Sequence, residues 1–288
     1  MEKVTFINSR GQSVVLGDSA PYILTKLEGM GAATADIQTQ KAPFQDGVTF
    51  IDAVLEPRTP FAEIIVLADN EVEMSSHRMK LLEVFNPALG EGTLIYENDG
   101  VKREVKAIAE TAPVFPHAGD FKDKMQPALI NLYCANPLLL SPVEYTATMQ
   151  AWLGGFEFPI ELDPYMEFET AGNEITIENV GHREAPVVIE FNGPAVNPRV
   201  DNLTTGEFIK INRELQAGEK LIIETAFGRK RVVFIDEEGN ESNAMHYIDL
   251  ESTFWRLAIG ENTISYMADS GAEEAVVNIK FRFLYMGV

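Results

Sequence analysis

The sequence predicts a mainly all-β protein built from two domains. Three observations carry that expectation: short runs in which apolar and polar residues alternate, turn signals between the runs, and a length of 288 residues. Alternation with a period of two places one face of a strand inward. Many short strands separated by Gly, Asn and Pro describe a sandwich or barrel. At about 100–200 residues per domain, the length accommodates two units more readily than one. The expected boundaries are 1–140 for an N-terminal β domain with one helix and 141–288 for a C-terminal β-sandwich.

The first half is strand-rich and contains one convincing helical segment. Ser75 and Ser76 offer N-cap oxygens, Met79, Leu82, Val84 and Phe85 follow at mixed helical spacing, and Pro87 stops the run. Leu81 lies on an adjacent face, so the apolar stripe is broad. That stripe packs either on its own sheet or against a neighbouring subunit. Further on, Pro113, Pro116, Pro127, Pro137 and Pro142 surround the apolar run Ala128–Ala135. The pattern predicts a returning loop, a last strand of the first domain and a linker ending near Ser141-Pro142.

The second half is more regular. Candidate strands run over Glu174–Glu178, Pro186–Phe191, Lys220–Phe227, Arg231–Asp236 and Ile264–Met267. In the last segment Val277, Ile279, Phe281, Phe283 and Tyr285 form one face, as expected of a half-buried strand. Turn signals fall between them: Asn192-Gly193-Pro194, Gly218, Gly228, Glu238-Gly239-Asn240, Gly260 and Ser270-Gly271. Phe227-Gly228-Arg229-Lys230-Arg231 reads as a tight hairpin whose Gly228 supplies the positive φ such a turn needs.

Charge excludes two classes of partner. The chain has 23 Lys+Arg against 44 Asp+Glu, a formal net charge of −21, and acids outnumber bases in both halves. Stable nucleic-acid binding needs clustered cations to neutralise phosphate, and so does docking on anionic membranes. The single cysteine, Cys134, cannot form an intramolecular disulfide and reads as a small buried hydrophobe. The N-terminus lacks the basic and apolar regions of a signal peptide, and no run of about 18 apolar residues occurs. Synthesis and assembly in a cytoplasm is the expectation.

Catalytic constellations are scarce, and no catalytic, cofactor-binding or metal-binding residue is assigned. His77, His117, His182 and His246 are dispersed without ligand spacing. Gly29-Met30-Gly31 lacks the third glycine and the βαβ setting of a dinucleotide loop. Asp236, Glu238 and Asn240 alternate oxygen ligands, but a hairpin turn explains them better than a calcium loop does. Trp255 and Trp152 are candidates for stacking on sugar rings, although tryptophans in a sandwich more often belong to its core.

Several ordered stretches resemble one family. They are Gly17-Asp18-Ser19-Ala20-Pro21-Tyr22, Leu27-Glu28-Gly29-Met30-Gly31, Asp46-Gly47, Arg78-Met79-Lys80-Leu81-Leu82 with Phe85-Asn86-Pro87, and Leu129 to Pro137. In the second half they continue through Asn197-Pro198, Thr204-Thr205-Gly206-Glu207, Ala217-Gly218-Glu219, Ser252 to Leu257, Gly260 to Ile264 and the terminal Tyr285-Met286-Gly287-Val288. Together they resemble the distal tail proteins of siphophages, components of the baseplate hub. The resemblance implies an N-terminal domain that closes into a hexameric ring and a galectin-like C-terminal sandwich. It also implies a non-enzymatic role at the virion tail tip, without a cofactor. Expected partners are further copies of the chain, the tail-tube protein, a tail-associated fibre or lysin protein, and a receptor-binding protein. DNA would pass through the ring channel. Leu81, Leu82 and Phe85 are the candidate ring interface. The alternative reading is a carbohydrate-binding module for host cell-surface glycans.

Overall fold

The computed structural model describes residues 2–116, 124–150 and 173–288. It divides into two compact units, one of Met1–Pro142 with Tyr285–Val288 and one of Val143–Leu284. The chain therefore leaves the first unit once and ends back inside it. Contiguous boundaries at 1–140 and 141–288 do not contain that return of the last four residues.

The first unit is built on strands β1 (Lys3–Ile7), β2 (Ser13–Leu16), β3 (Tyr22–Glu28), β4 (Ala35–Gln40), β5 (Thr49–Leu55), β6 (Phe61–Leu67), β7 (Gly92–Asn98), β8 (Val101–Ala109) and β9 (Met125–Tyr133). Seven of them form an antiparallel sheet in the order β2-β1-β7-β8-β9-β6-β3. Its two ends meet at a parallel bridge between Gly17 and Ile23, where the Leu24 N–H donates to the Gly17 carbonyl at 2.6 Å. The sheet thus curls back on itself, which removes open edges. Alternate residues point inward: Val4 and Phe6, Ile64 and Val66, Leu94 and Tyr96, Ala128 and Ile130 are all buried in one core.

Helix α1 (Glu71–Val84) covers part of that core through Met74, Leu81 and Val84, followed by Phe85. The Phe85 ring stacks on Phe6 with centroids 4.8 Å apart and planes 13° from parallel. The helix starts a turn earlier than Ser75 or Ser76 would suggest. Asn70 is the N-cap, its Oδ1 accepting from the Glu73 N–H at 3.0 Å, while Glu73 accepts from the Asp69 N–H at 2.8 Å. The first bond satisfies one of the backbone donors that the helix start leaves unpaired, and the second ties the residue before the cap to the first turn. The end falls where Pro87 requires, and Pro87 opens a short 3-10 turn capped by Asn86.

The second unit is a two-sheet sandwich. After β10 (Leu139–Leu140) come β11 (Tyr145–Gln150), β12 (Glu174–Asn179), β13 (Ala185–Asn192), β14 (Ala195–Val196), β15 (Arg199–Asn202), β16 (Glu207–Lys210) and β17 (Glu214–Leu215). These are followed by β18 (Lys220–Glu224), β19 (Arg231–Ile235), β20 (Glu241–Asn243), β21 (Arg256–Leu257), β22 (Gly260–Met267) and β23 (Val276–Phe281). One sheet runs β11-β23-β13-β18-β19-β20 and the other β12-β22-β15-β16. Phe191 on the first meets Tyr266 on the second edge-to-face at 5.9 Å, so the two inner faces interlock. The strand expected from Val277 to Tyr285 is broken in two. β23 stops at Phe281, Phe283 and Leu284 are both buried so the period of two is lost, and a separate two-residue strand, β24 (Leu284–Tyr285), follows.

Two substitutions test this packing. Phe85→Ala removes a ring with no exposure and should cost about 3–5 kcal/mol in urea unfolding. Asn70→Ala should cost about 1 kcal/mol by the same measurement, through loss of the cap alone.

Candidate functional site

What the first unit leaves uncovered is most informative. β4 and β5 pair only with each other, forming an antiparallel arm outside the curled sheet. Ile37, Phe44, Val48, Phe50, Ile51 and Val54 on this arm are each more than half exposed. A two-stranded hairpin is marginally stable alone in water, and uncovered apolar clusters mark interaction surfaces. Sequence reasoning missed the arm because large apolar residues are expected to point inward. The Asp46-Gly47 turn, with Gly47 at φ +75°, was the one local signal present.

The residues expected at an interface lie elsewhere. Leu81 and Phe85 are wholly buried against their own sheet, so neither offers a surface to another subunit. Leu82 is half-buried and lines a groove of about 810 Å³ between α1 and the start of β2. Gln12, Ser13, Ser76, Met79, Lys80, Glu83 and Val84 complete its lining, and Met79 is 63% exposed. The helix therefore turns its broad stripe inward and shows only Val72, Met79 and the flank at Leu82.

A buried arginine organises the base of the arm. Arg58, only 4% exposed, follows β5 and precedes β6. Its guanidinium donates to four backbone carbonyls: Gly29 at 3.1 Å, Gly31 at 2.6 Å, Pro137 and Met286. Its own backbone exchanges hydrogen bonds with Cys134 at 3.0 and 2.8 Å. Burial lowers the Arg58 pKa from its ordinary value, and burial pushes the Cys134 thiol up to about 12. The approach is too close for side chains: a Cβ on Gly287 would meet the Gly31 oxygen at 2.7 Å. Nearby, the Arg103 guanidinium lies 3.6 Å from the centroid of the Tyr285 ring.

The second unit places Trp255 in its core. It is 1% exposed and its indole N–H donates to the Val200 carbonyl at 3.4 Å, so no face is open to a sugar. The stacking expectation for Trp255 fails for that reason; Trp152 and His117 lie outside the described residues. The motif Gly260-Glu261-Asn262 has a structural role. Fully buried Asn262 donates to the Ala258 and Gly260 carbonyls at 2.8 and 2.9 Å and accepts from the Ala258 N–H at 2.8 Å. Asp236 to Asn240 forms the turn between β19 and β20, with the Asn240 amide donating to Asp236 at 3.0 Å. Among the described residues, no three His, Cys, Asp or Glu side chains cluster as a metal site would need. Glu190 bonds Lys280 at 2.8 Å, which holds its carboxyl below the usual range.

Comparison with known proteins follows the same division of the chain. The family model described as the phage tail protein RIFT-related domain matches residues 9–134. That described as the siphovirus-type tail component, C-terminal domain, matches residues 180–285. Among solved structures, the chain is similar to the SPP1 Dit (gp 19.1) protein, described as a paradigm of hub adsorption apparatus in Gram-positive infecting phages. Identity is 14% and the TM-score 0.68, over 98% of each chain. It is also similar to a chain of the phage P2 baseplate in its activated conformation with Ca, at 11% identity and TM-score 0.55 over 97% of each chain. A third match, to the same baseplate with Sr, has 11% identity and a TM-score of 0.53, over 97% of this chain and 98% of that one. No curated protein matches the sequence.

The arginine and cysteine yield two tests. Arg58→Met should lower stability by about 3–5 kcal/mol in urea, because four carbonyls lose their donors at once. Arg58→Lys should restore only part, since an ammonium cannot reproduce the planar fork. Cys134 should resist a maleimide at pH 8 until the protein unfolds. An unfolded thiol ionises near 9 and the folded one near 12, so its contribution to stability is lost as pH rises across that window. Cys134→Ala should flatten the fall in stability over the same range.

Proposed function

The chain belongs to the siphophage distal tail protein family, structural components of the phage tail and baseplate hub, and we propose that six copies close into a ring that continues the tail tube. The observation that carries this reading is the β4–β5 arm, whose apolar side chains are more than half exposed among the described residues. A ring is closed by a head-to-tail contact repeated around an axis, and a projecting arm suits such a contact. The ring joins the tail-tube protein on one side to a tail-associated fibre or lysin protein on the other, with receptor-binding proteins attached at its periphery. The second unit serves as a galectin-like platform for those attachments. Its tight Trp255 and Asn262 packing supports a scaffold rather than a catalyst.

The acidic composition fits a conduit. Each copy contributes a formal charge of −21, and acids facing the channel repel the phosphates of passing DNA by like-charge electrostatics. Assembly takes place in the host cytoplasm and the product resides at the virion tail tip.

Electron microscopy of the purified protein, with light scattering across concentrations, tests the ring. A six-fold particle with an open channel is expected. A strict monomer that also fails to assemble with tail-tube or fibre proteins would overturn the proposal, and a channel lined by Lys and Arg would overturn the conduit role. The double substitution Phe50→Asp with Val54→Asp should abolish assembly while leaving the unfolding transition within about 0.5 kcal/mol, because both positions lie outside the core.

A further inference from the structure

From the placement of the arm and the α1 groove, we infer that the groove between α1 and β2 receives the apolar arm of a second copy of this chain. The inference rests on the ring reading and names the acceptor surface that reading leaves open. Its basis is where the fold puts the two surfaces. The arm grows from the end of β3 at Glu28 and rejoins the unit at the start of β6, Phe61. Helix α1 follows the other end of β6, after Leu67, and the Tyr22 hydroxyl at the start of β3 donates to the His77 carbonyl on that helix. Arm and groove therefore lie at opposite ends of the same pair of seven-residue strands, about 20 Å apart at roughly 3.3 Å per residue. An arm that leads away from its own groove is placed to meet the groove of the next subunit. Two different patches in mutual contact define the heterologous interface that closes a ring, whereas a self-complementary patch would stop at a dimer.

The chemistry of the two surfaces agrees. The arm presents Phe50, Ile51 and Val54 with acids Asp36 and Asp52 between them. The groove presents exposed Met79 and half-buried Leu82, with Lys80 at its rim. Methionine adapts its shape to an aromatic neighbour, and Lys80 can pair with a carboxylate on the incoming strand, while Glu83, which also lines the groove, is engaged by the Gln12 amide.

Cysteine cross-linking reads the contact directly. The native Cys134 is buried and its thiol is pushed up to about 12, so it leaves a silent background. Phe50→Cys and Met79→Cys both alter exposed side chains, which keeps the fold intact. A short bis-maleimide should convert a mixture of the two single variants into a covalent dimer and nothing larger. The double variant should give a ladder ending at six copies. Pairing Phe50→Cys with Val101→Cys, on the β7–β8 hairpin, should give at least tenfold less product. Rings seen by microscopy without the Phe50–Met79 product would overturn the arm-to-groove contact and leave the ring standing. Equal yield from the Val101 pair, or self-linking of Phe50→Cys alone, would overturn it as well. Failure to form any ring would overturn both readings.

Discussion

The first unit depends on one cation buried without a carboxylate. An arginine taken out of water needs compensation, and the fold supplies it as four carbonyl dipoles from separate stretches of chain. Those stretches are the Gly29–Gly31 turn after β3, the segment at Pro137 and the returning terminus at Met286. Each is far from Arg58 in sequence, so the guanidinium gathers three distant stretches into one fixed junction. Glycines at 29 and 287 let backbones come close enough for the planar fork to reach them. The ordered motifs Leu27–Gly31, Leu129–Pro137 and Tyr285–Val288 thus share a physical reason: they are walls of the same arginine site.

That junction also explains how an arm can stand outside a core. β5 ends three residues before Arg58, and β6 begins three residues after it. A rigid base at this point holds β4 and β5 away from the curled sheet without help from burial of their own side chains. Stability and assembly are consequently separated in the first unit. Phe85 and Leu81 are buried in the core, while Phe50, Val54 and Met79 stay exposed and are the residues proposed to meet a neighbouring copy. In the second unit the buried asparagines and Trp255 are satisfied within the sandwich.

Much of the architecture was legible in advance. Alternation over 186–191 and 231–236 located strands to within a residue or two, and Pro87 marked the helix end, because these signals act between neighbours. The face expected from Val277 to Tyr285, by contrast, extends only to Phe281. The helix start was misplaced, since Asn70 and Glu73 cap it from outside the apolar run that drew attention to Ser75 and Ser76. Arg58 gave no sign of its role. Between Pro57 and Thr59-Pro60 it looks like any surface-loop cation.

The sequence by itself determined the all-β character and the acidic charge, and its ordered motifs pointed to the tail-hub family. These follow from local periodicity, composition and motif order, none of which requires knowing what packs on what. Only the tertiary structure decided that Leu81, Phe85 and Trp255 are core, that Arg58 gathers distant carbonyls, and that β4 and β5 remain uncovered. Burial is a property of contacts between residues remote in sequence, so an apolar side chain on an open arm and one in a core read identically until the chain is folded.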